Sequence, residues 1–132
     1  MIFAGIGCRP ACAAGEIVAA LEAALASAGR TLAEVAALYA PAARADLRAL
    51  EHAASMLGKR LELVEHERLV ERSAGALTHS AHAQRAFGVP SVAETAALAG
   101  AHAAWPNLGA RLLGPRVSSG GATCALAIVE ET

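Results

Sequence analysis

MIFAGIGCRPACAAGEIVAALEAALASAG, residues 1–29, decides how the chain reads. The apolar Met1, Ile2 and Phe3 read as a strand that feeds a turn built on Gly5, Ile6 and Gly7. A thiol, a guanidinium and a proline ring follow at Cys8, Arg9 and Pro10, and the ring cannot continue a strand. Ile17, Val18, Leu21 and Leu25 then recur at i, i+1, i+4 and i+8, which predicts a helix of about four turns ending at Gly29.

The alternation continues outward from that unit. Val35 to Tyr39 is a short apolar run stopped by Pro41, and Ala42 to Leu57 resumes helical spacing through Leu47, Leu50, Ala54 and Leu57 before Gly58. Leu61 to Val64 predicts a third strand, followed by a charged stretch with room for one or two helical turns. Residues 73–80, SAGALTHS, read as a loop, the kind of segment that often carries function. In GVPSVAETAALAGA, residues 88–101, Pro90 closes one segment, Ser91 is placed as an N-cap, and Glu94 stands where a capping-box partner belongs. A helix is predicted from Val92 to Ala101. Arg111 to Leu113 and Ala122 to Val129, joined by the loop GPRVSSGG at 114–121, read as a hairpin with an antiparallel last strand. Together these elements predict one α/β domain over residues 1–132. It is a three-layer α/β/α sandwich around a mixed, mainly parallel sheet of about five strands with an antiparallel C-terminal hairpin.

Composition excludes several classes of function. The 132 residues are 55% hydrophobic but only 3% aromatic, so the core must be built from Ala, Leu, Val and Ile. A chain of this length buries roughly two-thirds of its unfolded surface, enough to fold without disulfides or structural metal. Eleven basic and 12 acidic residues give a formal net charge of −1, with no block of like charge. Nucleic-acid binding wants a basic face, and single strands also want stacking aromatics, so no nucleic-acid partner is expected. Glu16 and Glu22 interrupt the longest apolar stretch and no basic region precedes a hydrophobic run, which points to a cytoplasmic protein with no membrane partner. Cys8, Cys12 and Cys124 are expected as free thiols; the C-x3-C spacing of the first two fits neither a redox pair nor a zinc site.

A strand, a glycine-rich turn and a helix bring backbone N–H groups and a positive helix end to the carboxyl edge of a sheet, where anions bind. Gly5, Gly7 and Gly15 do not fit the G-x-G-x-x-G dinucleotide pattern, and no Walker lysine follows. Arg9 adds the forked cation suited to a carboxylate or phosphate, and Cys8 would feel the same field, which favours thiolate. Against this stands the plain alternative that the glycines serve only the turn and Cys8 is a small buried residue. Glu94 likewise has two readings, capping partner or acid/base. His79 and His82 could share a helical face, but two imidazoles without a third ligand are a weak metal signal, so no metal site and no cofactor are expected. His52, His66 and His102 stand alone among helical residues, and Trp105 is placed neither inside nor outside.

Three stretches, GIGCRPACAAGEIVAAL, GVPSVAETAALAGA and GGATCALAIVEE, resemble in order and spacing the CobE/CbiG C-terminal domain family of cobalamin biosynthesis, over essentially the whole chain. The resemblance implies the three-layer fold and a role on the route to the corrin ring. Longer members of that family include a hydrolase that opens a ring-A lactone on cobalt-precorrin-5A with loss of acetaldehyde. At 132 residues the chain looks more like the free-standing CobE type, with no room for the other domains, so that activity does not simply carry across. The family's G-x-G-C-R turn falls on Gly5, Gly7, Cys8 and Arg9, and its V-P-S-V-A-E stretch on Val89, Pro90, Ser91, Val92, Ala93 and Glu94. Its usual Lys and Glu in the second helix fall on Arg44 and about Leu47, with Asp46 a substitute for the lost acid, and a basic residue before the last strand falls on Arg116.

The function implied is binding or carrying of a corrin or precorrin intermediate, with Gly5, Gly7, Cys8, Arg9, Ser91 and Glu94 as ligand-binding residues. The loops around Thr78 to His82 and Val117 to Gly121 would close over the ring. Two alternatives stay open. One is an enzyme acting on a precorrin, hydrolase-like, with Cys8 as nucleophile or Glu94 as acid/base. The other is a module that docks onto another cobalamin-pathway enzyme.

Overall fold

A computed structural model describes residues 1–43 and 47–130. Along the chain run β1 (Ile2–Cys8), α1 (Ala14–Ala28), β2 (Val35–Pro41), α2 (Leu47–Leu57), β3 (Arg60–Val64), α3 (His66–Glu71), α4 (Ala81–Phe87), α5 (Val92–Ala104), β4 (Gly109–Leu112), β5 (Val117–Ser119) and β6 (Ala122–Glu130). The strands form one mixed sheet in the order β3-β2-β1-β6-β4, with β5 also paired to β6. β1, β2 and β3 are parallel, whereas β6 runs antiparallel to β1, β4 and β5. The expected α/β architecture is what forms. Residues 114–121, expected as a loop, contain β5, which makes six strands among the described residues.

β1 is apolar at nearly every position because both of its faces are covered. Ile2, Ala4 and Ile6 point into one core, with Leu38 and Ala40 of β2 and the inner faces of α1 and α2. Phe3, Ala37, Tyr39, Ala125 and Ala127 point into the other, under α5, with Leu69 of α3 and Ala83 of α4. Phe3 and Tyr39 meet there with ring centroids 6.0 Å apart. α5 supplies that second core with small residues, Ala93, Ala96, Ala97, Gly100 and Ala101, so its backbone lies close on the sheet.

Glycine placement follows from this closeness. Gly5 is paired on both sides within β1, to Tyr39 and to Ala125, and does not form the turn expected from the sequence. A Cβ on Gly5 would run into the Ala93 carbonyl oxygen and stand 2.5 Å from the Ala97 nitrogen. The glycine is there so that α5 can approach. Gly7 also lies within β1, opposite Thr123. The turn falls later, at Pro10 and Ala11, closed by the Cys12 N–H donating to the Arg9 carbonyl at 2.9 Å.

Two other expectations shift. Among the described residues the second helix covers Leu47–Leu57, and Ala42, expected as its start, instead prolongs the pairing of β2 with β3 by donating its N–H to the Val64 carbonyl at 2.8 Å. Arg44 and Asp46 lie outside the described residues, and Leu47 is exposed. α4 was not foreseen. Ser80 caps it by accepting from the Ala83 N–H at 3.2 Å, and Gly88 ends it at φ 69°. Among the described residues no helix is long and apolar enough to cross a membrane.

Candidate functional site

A cleft of about 310 Å³ opens at the carboxyl ends of β1 and β2. In open α/β sheets ligands bind at this edge, where successive crossovers part to opposite sides. Here β2 and β3 extend from β1 on one side while β6 and β4 lie on the other. Ile6, Gly7, Cys8, Arg9 and Pro10 come from β1 and its exit, Ala40 and Pro41 from the end of β2, and Leu50 from α2. α4 and its cap supply Ser80, His82, Ala83, Ala86 and Phe87, and the start of α5 supplies Val92. Arg116, Ser118, Gly120, Gly121 and Thr123 close the remaining side.

The electrostatics are one-sided. Arg9 and Arg116 both line the cleft, and no Asp or Glu does among the described residues. The ion pairs among those residues are Arg30–Glu34 and Arg60–Glu62, both elsewhere, so neither lining guanidinium is ion-paired to a carboxylate among the described residues. The lining is otherwise mixed, with apolar Ile6, Pro41, Leu50, Phe87 and Val92 beside the polar Ser80, His82, Ser118 and Thr123. Such a surface suits a ligand with an apolar face and an anionic fringe.

Of the residues singled out from the sequence, Gly7, Cys8 and Arg9 come together in this cleft. Gly5, Ser91 and Glu94 stand behind it, packed between α5 and the sheet or fully buried. Ser91 does cap α5, its hydroxyl accepting from the Glu94 N–H at 3.4 Å. Glu94 does not return the bond as a capping box would. Its Oε1 accepts from the N–H groups of Leu77 and Thr78 at 2.8 Å each, and its Oε2 from the Thr78 hydroxyl at 2.7 Å and the Arg116 N–H at 2.8 Å. Burial pushes this carboxyl up, but the bonds from Thr78, Arg116 and Leu77 outweigh it and hold it below the usual carboxylate range.

Cys8 is half-buried at the rim and donates to the Arg9 carbonyl at 3.4 Å. Burial, with Cys8 and Glu16 alongside, drives the Cys12 thiol far above the ordinary range, and burial alone does the same to Cys124. Both are therefore held neutral, and of the three cysteines only Cys8 faces the cleft. His82 lines the cleft on α4 while His79 lies outside it, exposed. No group of three or more metal-ligating side chains occurs among the described residues.

The segments expected to close over a ligand are hydrogen-bonded into the fold around the cleft. Thr78 is bonded to Glu94, His82 is part of α4, and Val117 to Ser119 form β5. The Gly121 carbonyl accepts from the Arg9 N–H at 3.0 Å, and its N–H donates to Glu16 Oε2 at 3.0 Å. The α4 wall was missed although Ser80 and Gly88 mark its two ends in the sequence.

Residues 2–127 match the protein family described as the cobalamin synthesis G C-terminus. No curated protein matches the chain. A crystal structure of CobE, a protein from the cobalamin (vitamin B12) biosynthetic pathway, is similar with a TM-score of 0.92 and 37% identity, covering 99% of this chain and 93% of that one. The cobalamin biosynthesis protein chiG from Agrobacterium tumefaciens is similar with a TM-score of 0.75 and 36% identity, covering 99% of this chain and all of that one.

Proposed function

The chain belongs to the cobalamin synthesis G C-terminus family of cobalamin biosynthesis, and from that premise we propose that it binds a corrin or precorrin intermediate in the cleft at the carboxyl edge of its sheet. The observation that carries this reading is the pair Arg9 and Arg116 on a partly apolar cleft that no acidic side chain lines among the described residues. A corrin precursor is a broad ring with an apolar face and a fringe of acetates and propionates. Its fringe would meet the guanidinium groups, and its face would rest against Pro41, Phe87 and Val92.

Size limits the contact. At about 310 Å³ the cleft is at the low end of small-molecule sites, which run from roughly 300 to 1,000 Å³. It would grip one edge of a macrocycle and leave the rest accessible, as suits a protein that passes an intermediate between cytoplasmic enzymes. A second reading, an enzyme acting on a precorrin, rests on Cys8, which faces the cleft as a half-buried thiol. That reading requires turnover by the parent protein and its loss in Cys8→Ala with binding retained.

Titration with hydrogenobyrinic acid tests the binding reading, followed by its visible absorption and by quenching of Trp105, the only tryptophan. Saturable one-to-one binding is expected. Arg9→Ala and Arg116→Ala should each weaken it by roughly tenfold, the loss of a hydrogen bond to a charged group. Because neither side chain is ion-paired among the described residues, thermal stability should be unchanged. No binding, or affinity indifferent to both substitutions, would shift the account to a module that docks on another pathway enzyme.

A further inference from the structure

We propose that Glu94 is a positioning residue that sets the cleft's width, by joining its α4 wall to its Arg116 wall through one buried carboxylate. Glu94 is fully buried and does not line the cleft. Its two oxygens collect donors from two segments far apart in sequence: Leu77 and Thr78 on one side, Arg116 on the other. Thr78 leads directly to Ser80, which caps α4 and whose N–H donates to the Pro90 carbonyl at 2.8 Å. Among the described residues no backbone hydrogen bond runs between 76–80 and 113–118, so the carboxylate is their hydrogen-bonded link.

A carboxylate suits this place for a chemical reason. Four donors converge on two oxygens, and an ionised carboxyl accepts at both, whereas an amide would turn an NH₂ toward one set. The network is shared, so loosening it from one wall should be felt at the other. Its effect on affinity rests on the corrin-binding reading, since Arg116 is the side chain it would place against the ligand. Its effect on the free protein does not.

Thr78→Val is the test, because it deletes one donor on the α4 wall and leaves the other three. In amide hydrogen exchange of the free protein, the Arg116 N–H on the opposite wall should exchange roughly tenfold faster, while Phe3 and Ile6 in β1 keep their protection. An unchanged Arg116 rate would overturn the inference. So would an increase shared equally by Phe3 and Ile6, which would mean general loss of stability. Titration with hydrogenobyrinic acid gives a second readout: Arg116→Ala should cost less affinity in Thr78→Val than in the parent protein, whereas Arg9→Ala should cost the same in both. Equal costs for Arg116→Ala in the two backgrounds would also overturn it. If the parent protein binds no corrin, the binding reading fails, and hydrogen exchange alone decides the coupling. Glu94→Gln, which also costs global stability, should speed exchange of the Arg116 N–H by more than it speeds that of Phe3 and Ile6.

Discussion

A methyl group added at Gly5 would meet the backbone of α5 at Ala93 and Ala97, and neither can yield without moving the helix off the sheet. Gly5→Ala is therefore expected to destabilise the protein by about 3 kcal/mol or more, at or above the upper end for overpacking. Gly15, in the same opening stretch, lies inside α1 with nothing within 4 Å of an added Cβ. Gly15→Ala should stabilise by about 0.4–1 kcal/mol, the gain for replacing a glycine whose backbone conformation alanine also adopts. Urea unfolding of the two variants checks both signs, and similar effects from both would contradict the placement of α5. From residue order alone Gly5 looked like part of an anion-binding turn, and Gly15 only failed to complete a dinucleotide pattern with it. What separates them is the distance to a helix that begins at Val92, and one-dimensional spacing does not carry that distance.

Elements were legible where their signals were local. α1 shows its apolar stripe and its Gly29 end, and Ser91 marks the start of α5 as expected. β5 is short and sits among glycines and serines, so its pairing with β6 was hidden inside a loop composition. The destination of the Glu94 side chain was hidden for a stronger reason. Capping-box spacing suggested a bond back to Ser91, but the donors that win it lie 16 to 22 residues away. Those donors make the elements around α5 depend on pH. Because the folded carboxyl titrates below its unfolded value, its stabilisation is fully present above about pH 4.5 and is lost as pH falls through the folded value. Glu94→Gln should thus cost about 2–3 kcal/mol at pH 7 and much less at pH 3. Urea melts at the two pH values check this, and a cost that does not shrink in acid would mean the carboxylate is not ionised in the native state.

For the whole molecule, the formal net charge of −1 offers no general attraction for an anionic ligand. On the proposed reading recognition comes from local placement, with Arg9 at the exit of β1 and Arg116 before β5 brought to one edge of the sheet by the antiparallel return of β6. The sequence showed Arg9 and the fold class. It did not show that Arg116, α4 and the end of β2 share its cleft, because that depends on β6 entering the sheet beside β1. Mapping backbone amide shifts by NMR during titration with hydrogenobyrinic acid tests this account most directly. Saturable shifts centred on Gly7, Cys8, Arg9, Arg116 and Gly121 are predicted. The account is contradicted by no shifts at all, or by shifts centred on the exposed Met56, Leu63 and Val70, none of which lines the cleft.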